Sequence, residues 1–339
     1  MRTTLIDELE AGRVLSRAEA EALMEEVLSG RVASPEIVRL LLAMNRRRVA
    51  VPELAGFATA MRRHAARPFV NGEPTPDGLI DTCGTGGKTT ATFNISTAAA
   101  IVAAASGARV AKHGNRGMSS RSGSADVLEA LGVRVDIPLE RHGRAIREIR
   151  IGFLFAQLAH TSMRHAVEAR KQVGVRTVFN LLGPLTNPAG APFQVVGVPS
   201  PELVDLVAAA LAELCTERAL VVYGAGAIDE ISLAGETLAA EINNGAVRRF
   251  VLTPEDFGVS RAPIEAITGG STTENAAMIR RVLDGEAGPR RDVVVVNASA
   301  ALVTAGIVPD FRAAAELATQ SLHSGAAKKK LEDLAEFTK

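Results

Sequence analysis

The chain has 339 residues, 47% hydrophobic and 22% charged, which is enough apolar material for a sizeable core and two subdomains. Its 38 basic and 38 acidic side chains cancel, so no global field draws it to nucleic acid or to an anionic membrane, and any anion binding must be local. The absence of Trp and the single Tyr223 leave few platforms on which bases stack, and Cys83 and Cys215 lie too far apart in sequence to read as a CxxC or a disulfide framework.

That cysteine usage suits a reducing, cytoplasmic compartment. The opening MRTTLIDELEAGR lacks a signal-peptide core, and the longest apolar runs, near Ala98–Ala105 and Val207–Leu211, are too short to span a bilayer.

From Met1 to Arg67 the apolar spacing is helical. Ser16 and Glu19 form a capping-box pattern that opens a helix through Leu28, and Gly30 stops it. Ser34-Pro35 starts a second helix towards Asn45, and Val51-Pro52-Glu53 a third towards Arg67. Proline and glycine then thicken between Pro68 and Gly78, which reads as a linker.

Beyond the linker, strand and helix alternate as in parallel α/β folds. Leu79-Ile80, Arg109–Ala111 and Gly152–Phe155 read as strands; Asn94–Ser106, Ser124–Leu131 and His160–Val173 read as helices. Thr177–Pro188 reads as a turn-rich connector. Phe193–Val198 and Arg218–Tyr223 are strands bracketing a Pro201–Leu214 helix, and Leu238–Asn243 and Ala246–Leu252 form a hairpin across Asn244-Gly245. Arg291–Ala305 and Asp310–Ser324 are the clearest of the helices that follow.

The chemistry concentrates between Asp81 and Asp126. No acidic residue lies between these two, whereas Lys88, Arg109, Lys112, Arg116 and Arg121 do, among glycines and hydroxyls in two clusters. Backbone donors, hydroxyls and positive charge together suit phosphates. The first cluster, Gly84-Thr85-Gly86-Gly87-Lys88-Thr89-Thr90, is neither a P-loop, which would need glycine at position 82, nor a dinucleotide fingerprint, which would need it at 89. An N-capped helix after a tight turn fits it as well as a phosphate cradle does, with Thr92, Asn94, Ser96 and Thr97 at the start of the next helix.

The second cluster, Lys112-His113-Gly114-Asn115-Arg116 with Ser119, Ser120, Ser122 and Ser124, directly follows a strand, where ligands of open α/β sheets collect. His113 is a proton shuttle or, more commonly, a hydrogen-bonded structural histidine. Asp229-Glu230 follow the strand ending at Tyr223; placed opposite a phosphate pocket, two carboxylates suit Mg²⁺.

Taken together, GTGG, TFNIST, KHGNR followed by SS and GSADVLEALG, VRTVFNLLGPLTNP, DEIS, ENA at Glu274–Ala276 and VNA at Val296–Ala298 closely resemble anthranilate phosphoribosyltransferases over nearly the whole chain. The resemblance implies an α/β fold of the nucleoside phosphorylase and phosphoribosyltransferase type. A small all-helical domain, residues 1–70 completed by helices around 165–188, would accompany a larger domain, 71–339, with a mostly parallel central sheet. It implies a homodimer joined through the helical parts, no nucleic-acid or membrane partner, and Mg²⁺-dependent transfer of phosphoribose from 5-phosphoribosyl 1-pyrophosphate (PRPP) to the amine of anthranilate. A transferase for another aromatic amine, a pyrimidine nucleoside phosphorylase and a nucleic-acid-binding relative of the same fold are the competing readings.

Residue by residue, Gly84, Gly87, Lys88, Thr92, Asn94, Ile95, Ser96 and Thr97 match the family's first PRPP loop. Lys112, His113, Gly114, Asn115, Arg116, Gly117, Met118, Ser119, Ser120 and Ser124 match the second, with Lys112 the catalytic candidate. Ser96, Asp229 and Glu230 match the metal positions, and Gly84, Asn115 and Arg170 the anthranilate contacts. The chain departs from the family pattern at Lys88, where the usual GTGGDG has Asp, and at Gln157 and Thr161, where prolines are usual.

Overall fold

A computed structural model describes residues 2–70, 72–87, 90–117 and 121–339 of the chain. Four helices open it: α1 (Arg2–Glu10), α2 (Arg17–Leu28), α3 (Ser34–Arg47) and α4 (Val51–His64). The capping box at α2 is present, with the Ser16 hydroxyl accepting from Glu19 N–H and the Glu19 carboxylate accepting from Ser16 N–H. Pro35 is the second helical residue of α3, where a missing N–H costs no helical bond. Leu23, Met24, Ile37, Leu40, Leu41, Leu54 and Phe57 are all buried in the bundle core.

The rest winds around seven strands: β1 (Leu79–Asp81), β2 (Arg109–Gly114), β3 (Ile151–Phe155), β4 (Phe193–Gly197), β5 (Arg218–Gly224), β6 (Thr237–Asn243) and β7 (Ala246–Leu252). Their order is β3-β2-β1-β4-β5-β6-β7; the first five are parallel and the last two add as an antiparallel hairpin. Asn244 and Gly245 take φ of 46° and 83° at its tip, the left-handed pair that this two-residue turn requires.

Helices α5 (Ile95–Ala105), α6 (Ser124–Ala130), α7 (Leu139–Ile149), α8 (Ala156–Ala159), α9 (Val167–Val173), α10 (Phe179–Leu185), α11 (Glu202–Glu213), α12 (Thr272–Leu283), α13 (Pro289–Thr304), α14 (Phe311–His323) and α15 (Ala326–Thr338) complete the fold. Alternate strand residues face opposite cores. Val195, Leu220 and Val222 pack with α5, α6 and α12–α15, whereas Val196, Val221 and Ile242 pack with α11 and the opening bundle. That second core also takes in Ala169 of α9 and Phe179, Leu182 and Leu185 of α10, so the bundle and the sheet share one apolar cluster. Among the described residues no helix is long and apolar enough to cross a membrane.

Three sequence expectations change. Lys112, His113 and Gly114 do not follow a strand but end one, because they pair with Phe153, Leu154 and Phe155 of β3. His160–Val173 is not a single α-helix. His160 has a non-helical backbone, Thr161–Ala166 winds as a 3₁₀ helix, and α9 begins only at Val167. The supposed connector Thr177–Pro188 contains α10, with Pro184 inside it, because burial of Phe179, Leu182 and Leu185 outweighs the helix-breaking Gly183-Pro184 pair.

Candidate active site

In this strand order β1 pairs with β2 on one side and β4 on the other, so the winding direction reverses between β1 and β4. Open α/β sheets bind ligands outside the carboxyl ends of their strands at such a point. The glycine loop leaves β1 there. Thr85 N–H donates to Gly197 O at 2.9 Å, Gly86 N–H to Asp229 Oδ2 at 3.1 Å, and the Thr90 hydroxyl to Gly226 O at 2.7 Å. The loop is thus tied to the ends of β4 and β5.

The glycines are demanded by close approach. A Cβ on Gly84 would lie 2.9 Å from Asp229 Oδ2, and one on Gly197 only 1.6 Å from Asp229 O. At Gly87, φ is +80° and the Arg176 guanidinium fills the space a side chain would need.

Asp229 and Glu230, which a bare sequence would leave solvated, are 8% and 5% exposed. With Ser96, Thr82, Gly84 and Asn297, and with Ala99, Val195 and Val222 beside them, they line a cavity of about 30 Å³, large enough for a water-sized ligand. The three sequence-derived metal positions therefore meet at one small cavity. Hard oxygen donors around a compact cavity are what Mg²⁺ takes, so the residues fit that ion. Asn297 holds the segment behind the acids in place: its amide accepts from Ile231 N–H at 2.9 Å and donates to Ile231 O at 3.0 Å.

Lys112 is 3% exposed at the end of β2, and its Nζ donates to Thr82 O at 3.2 Å, Thr82 Oγ1 at 3.3 Å and Ser96 Oγ at 3.5 Å. Burial lowers its pKa, against the pull of Cys83, Asp81, Glu230 and Asp229. Asp81, fully buried, is pushed up to about 6 by burial, opposed by Lys112, by Asn187 and by backbone N–H groups. Its carboxylate accepts from His113 N–H at 3.1 Å and from the Asn187 amide at 2.8 Å, and Asn187 also donates to Ala111 O at 2.8 Å.

The His113 ring is buried and fixed. Its Nδ1–H donates to Gly183 O at 3.1 Å, its ring lies 5.1 Å from His160, and burial lowers its pKa to about 3. A ring held neutral so firmly carries no proton back and forth at neutral pH.

The second loop is stapled locally. The Asp126 carboxylate accepts from Gly117 N–H at 2.9 Å and Gly123 N–H at 2.8 Å. Arg116 pairs with Glu129 and Asp126 and its guanidinium lies over the Phe155 ring. Ser124 Oγ donates to Asn115 O at 3.3 Å and sits where a Cβ on Gly114 would be, 2.2 Å away. The two loops meet through Asn94, whose amide donates to Ser122 O at 3.1 Å and accepts from the Asn275 amide at 3.0 Å. Ile95 and Thr97 are core side chains of α5, so only their backbone faces the loop ends. Thr92 forms a bridge with Thr268. Lys88, Met118, Ser119 and Ser120 lie outside the described residues.

Arg170, an expected acceptor contact, is half-buried on α9 with its guanidinium 5.3 Å from the Phe179 ring centre. Gln157 of α8 reaches Asn115 Oδ1 at 3.5 Å, so one departure from the family pattern touches an expected acceptor contact. A larger cavity of about 430 Å³ opens on the other side of Thr85-Gly86, between α3, α11 and Thr177–Leu181; Gly84, Asn115 and Arg170 do not line it.

Asp81, Thr82, Asn187, Asn275 and Asn297 support the site without having been singled out as site residues. ENA, VNA and LTNP held the three asparagines in plain view, but their partners lie far away in sequence.

Comparison with known proteins agrees with this geometry. The glycosyl transferase family helical bundle domain matches residues 3–65, and the glycosyl transferase family a/b domain matches residues 76–328. The anthranilate phosphoribosyltransferase of Pelotomaculum thermopropionicum is 49% identical over 98% of this chain and 95% of its own length. The chain belongs to the anthranilate phosphoribosyltransferases. The crystal structure of the family member from Thermus thermophilus superposes with a TM-score of 0.92 at 46% identity, covering 98% of both chains. The Saccharomyces cerevisiae enzyme in complex with PRPP and Mg gives a TM-score of 0.85 at 26% identity, covering 96% of this chain and 93% of its own. The same enzyme in complex with 4-fluoroanthranilate gives 0.84 at 26% identity over the same shares.

Proposed function

We propose that the cleft between the two loops and α9 is where this family member carries out its reaction. It transfers phosphoribose from PRPP to the amine of anthranilate, giving N-(5-phosphoribosyl)anthranilate and pyrophosphate, in tryptophan biosynthesis. The observation that carries the site assignment is the meeting of Ser96, Asp229 and Glu230 in one cavity beside the glycine loop and the buried Lys112 ammonium.

An arylamine is neutral at pH 7 and already nucleophilic, so the site needs no strong general base. Its tasks are to hold two substrates in line and to stabilise negative charge as pyrophosphate leaves. Mg²⁺, held by Asp229 and Glu230 with Ser96, would supply Lewis-acid neutralisation of the pyrophosphate. The remaining work belongs to the chain. The glycine-loop backbone lets phosphate oxygens approach N–H groups, and Lys112, kept dry, acts as a preorganised cation for the leaving group. Of the second loop, Asn115 and Ser124 stand beside the phosphates. Arg170 pairs with the acceptor carboxylate in a planar fork, with Asn115 and Gly84 shaping the space beside it.

We also infer a homodimer joined through the helical part, for which Leu42, exposed on α3, is an apolar contact position. Loss of anthranilate fluorescence in the presence of PRPP and Mg²⁺ tests the assignment. Turnover that requires all three components supports it; PRPP binding without consumption of anthranilate would sink the acceptor assignment.

A further inference from the structure

We propose that Asp81, Cys83 and His113 form a second metal site, distinct from the Mg²⁺ positions Ser96, Asp229 and Glu230, that takes a thiophilic divalent cation such as Zn²⁺ and inhibits transfer when filled. Among the described residues this is the group whose carboxylate oxygen, thiol sulfur and ring nitrogen all lie within 4.8 Å of one another. Tetrahedral Zn²⁺ with bonds of about 2.0–2.3 Å places its ligand atoms roughly 3–4 Å apart, so small side-chain movements close the triad around an ion. Sulfur, nitrogen and oxygen with one open position suit Zn²⁺ and are poor for Mg²⁺, which wants oxygen alone.

The histidine is prepared for the role. Its Nδ1–H is committed to Gly183 O, which leaves Nε2 with its lone pair, and Nε2 is buried with no hydrogen-bond partner among the described residues. A metal-binding imidazole ordinarily donates its other N–H to a carbonyl in this way. Asp81 is likewise held by the Asn187 amide. Cys83, half-buried at the start of the glycine loop, is a free thiol. On binding, the S–H bond breaks as the sulfur–metal bond forms, and the thiol proton passes to solvent; no redox change is involved.

Lys112 attracts the Asp81 carboxylate, so an ion at this triad competes with its ammonium. That competition keeps affinity below that of a dedicated structural zinc site. It also accounts for the inhibition, because a divalent charge bound to Asp81 repels the Lys112 ammonium that Thr82 and Ser96 hold. The inhibitory clause rests on the role assigned to Lys112 above, whereas the binding clause does not.

Titration of the full-length protein with Co²⁺ in the presence of Mg²⁺ tests the binding. A thiolate-to-cobalt absorption band is expected, saturating at one ion per chain and displaced by Zn²⁺. It should persist in Cys215→Ser and vanish in Cys83→Ser. In Cys83→Ser the turnover without Zn²⁺ is expected to be unchanged, while the Zn²⁺ concentration for half-inhibition rises by at least the about tenfold that loss of an outer-sphere partner costs. Zn-edge X-ray absorption on the unmodified chain gives an independent reading, with one sulfur at about 2.3 Å and nitrogen or oxygen for the rest. A band that survives in Cys83→Ser, or coordination without sulfur, would overturn the site. Zinc binding with undiminished turnover would overturn its inhibitory role.

Discussion

The two loops that face the cleft are built on opposite principles. The first, from Gly84 to Thr97, is held from outside, by Gly197, Asp229, Gly226, Arg176 and Asn275, partners that lie 89 or more residues away along the chain. The second, which follows β2 from Asn115 to Ser124, is held at its described residues largely by near neighbours in the chain, Asp126 and Glu129, and by its own Ser124–Asn115 hydrogen bond. A loop fixed by remote partners reports on the packing of the whole sheet, whereas a locally stapled loop can loosen alone.

The largest expected effect breaks the first loop from a distance. Gly197→Ala puts a methyl group 1.6 Å from Asp229 O, where only backbone can give way. A loss on the order of 4 kcal/mol in denaturant unfolding is expected, together with loss of turnover. A variant of near-native stability would show that the first loop does not depend on its remote anchor.

Lys112→Met comes next. It removes the cation at the end of β2 while keeping the volume, and kcat is expected to fall about 10²–10³-fold, as for loss of one preorganised donor. Stability should be preserved, since burial already disfavours the ammonium. An unchanged kcat in steady-state assays would remove Lys112 from the leaving-group side.

The second loop breaks more gently. Asp126→Ala frees Gly117 and Gly123 N–H and leaves Arg116 paired with Glu129 alone, at a cost of about 2 kcal/mol. Because the damage is local, KM for PRPP should rise while KM for anthranilate holds; equal rises in both would mean that the loops do not act separately.

The smallest effect concerns pH. Burial lowers His113 to about 3, and His142 and His160 to about 4, from an ordinary 6.5. The unfolded chain therefore binds more protons as pH falls, so stability is full above about pH 6.5 and is lost on acidification. Asp81, raised to about 6 from 3.8, has the opposite sign: its contribution is present below 3.8 and is lost as pH rises through 6. His142 lies outside the cleft, accepting from Phe153 N–H at 3.3 Å. In His142→Asn the stability drop between pH 7.5 and 5.5, followed by chemical denaturation, should shrink by about 1.5 kcal/mol.

The same contrast sets what was legible in the sequence. The α2 capping box, the Asn244-Gly245 hairpin and the alternation of strand and helix are short-range signals, and the structure contains them all. The hydrogen bonds from Gly117 and Gly123 to Asp126 are equally short-range. What stayed hidden depends on contacts between distant segments. The helix α10 forms against its local Gly183-Pro184 signal because three of its side chains are buried in the bundle core. Burial of Asp229 and Glu230 depends on glycines at 84, 197 and 224, where any side chain would meet the acidic segment. Asp81 reads as the last residue of a strand until Asn187, 106 residues on, is seen to hold its carboxylate.

The central claim is that Asp229 and Glu230 form the metal side of a pocket whose other walls are the two loops. Calorimetric titration of PRPP with and without Mg²⁺, in the unmodified chain and in Asp229→Asn/Glu230→Gln, tests it most directly. Asn can still accept from Gly86 N–H, so the first loop keeps its anchor while the paired charge is lost. The account predicts that Mg²⁺ tightens PRPP binding in the unmodified chain and no longer does so in the double variant. An equal Mg²⁺ enhancement in both proteins would contradict it.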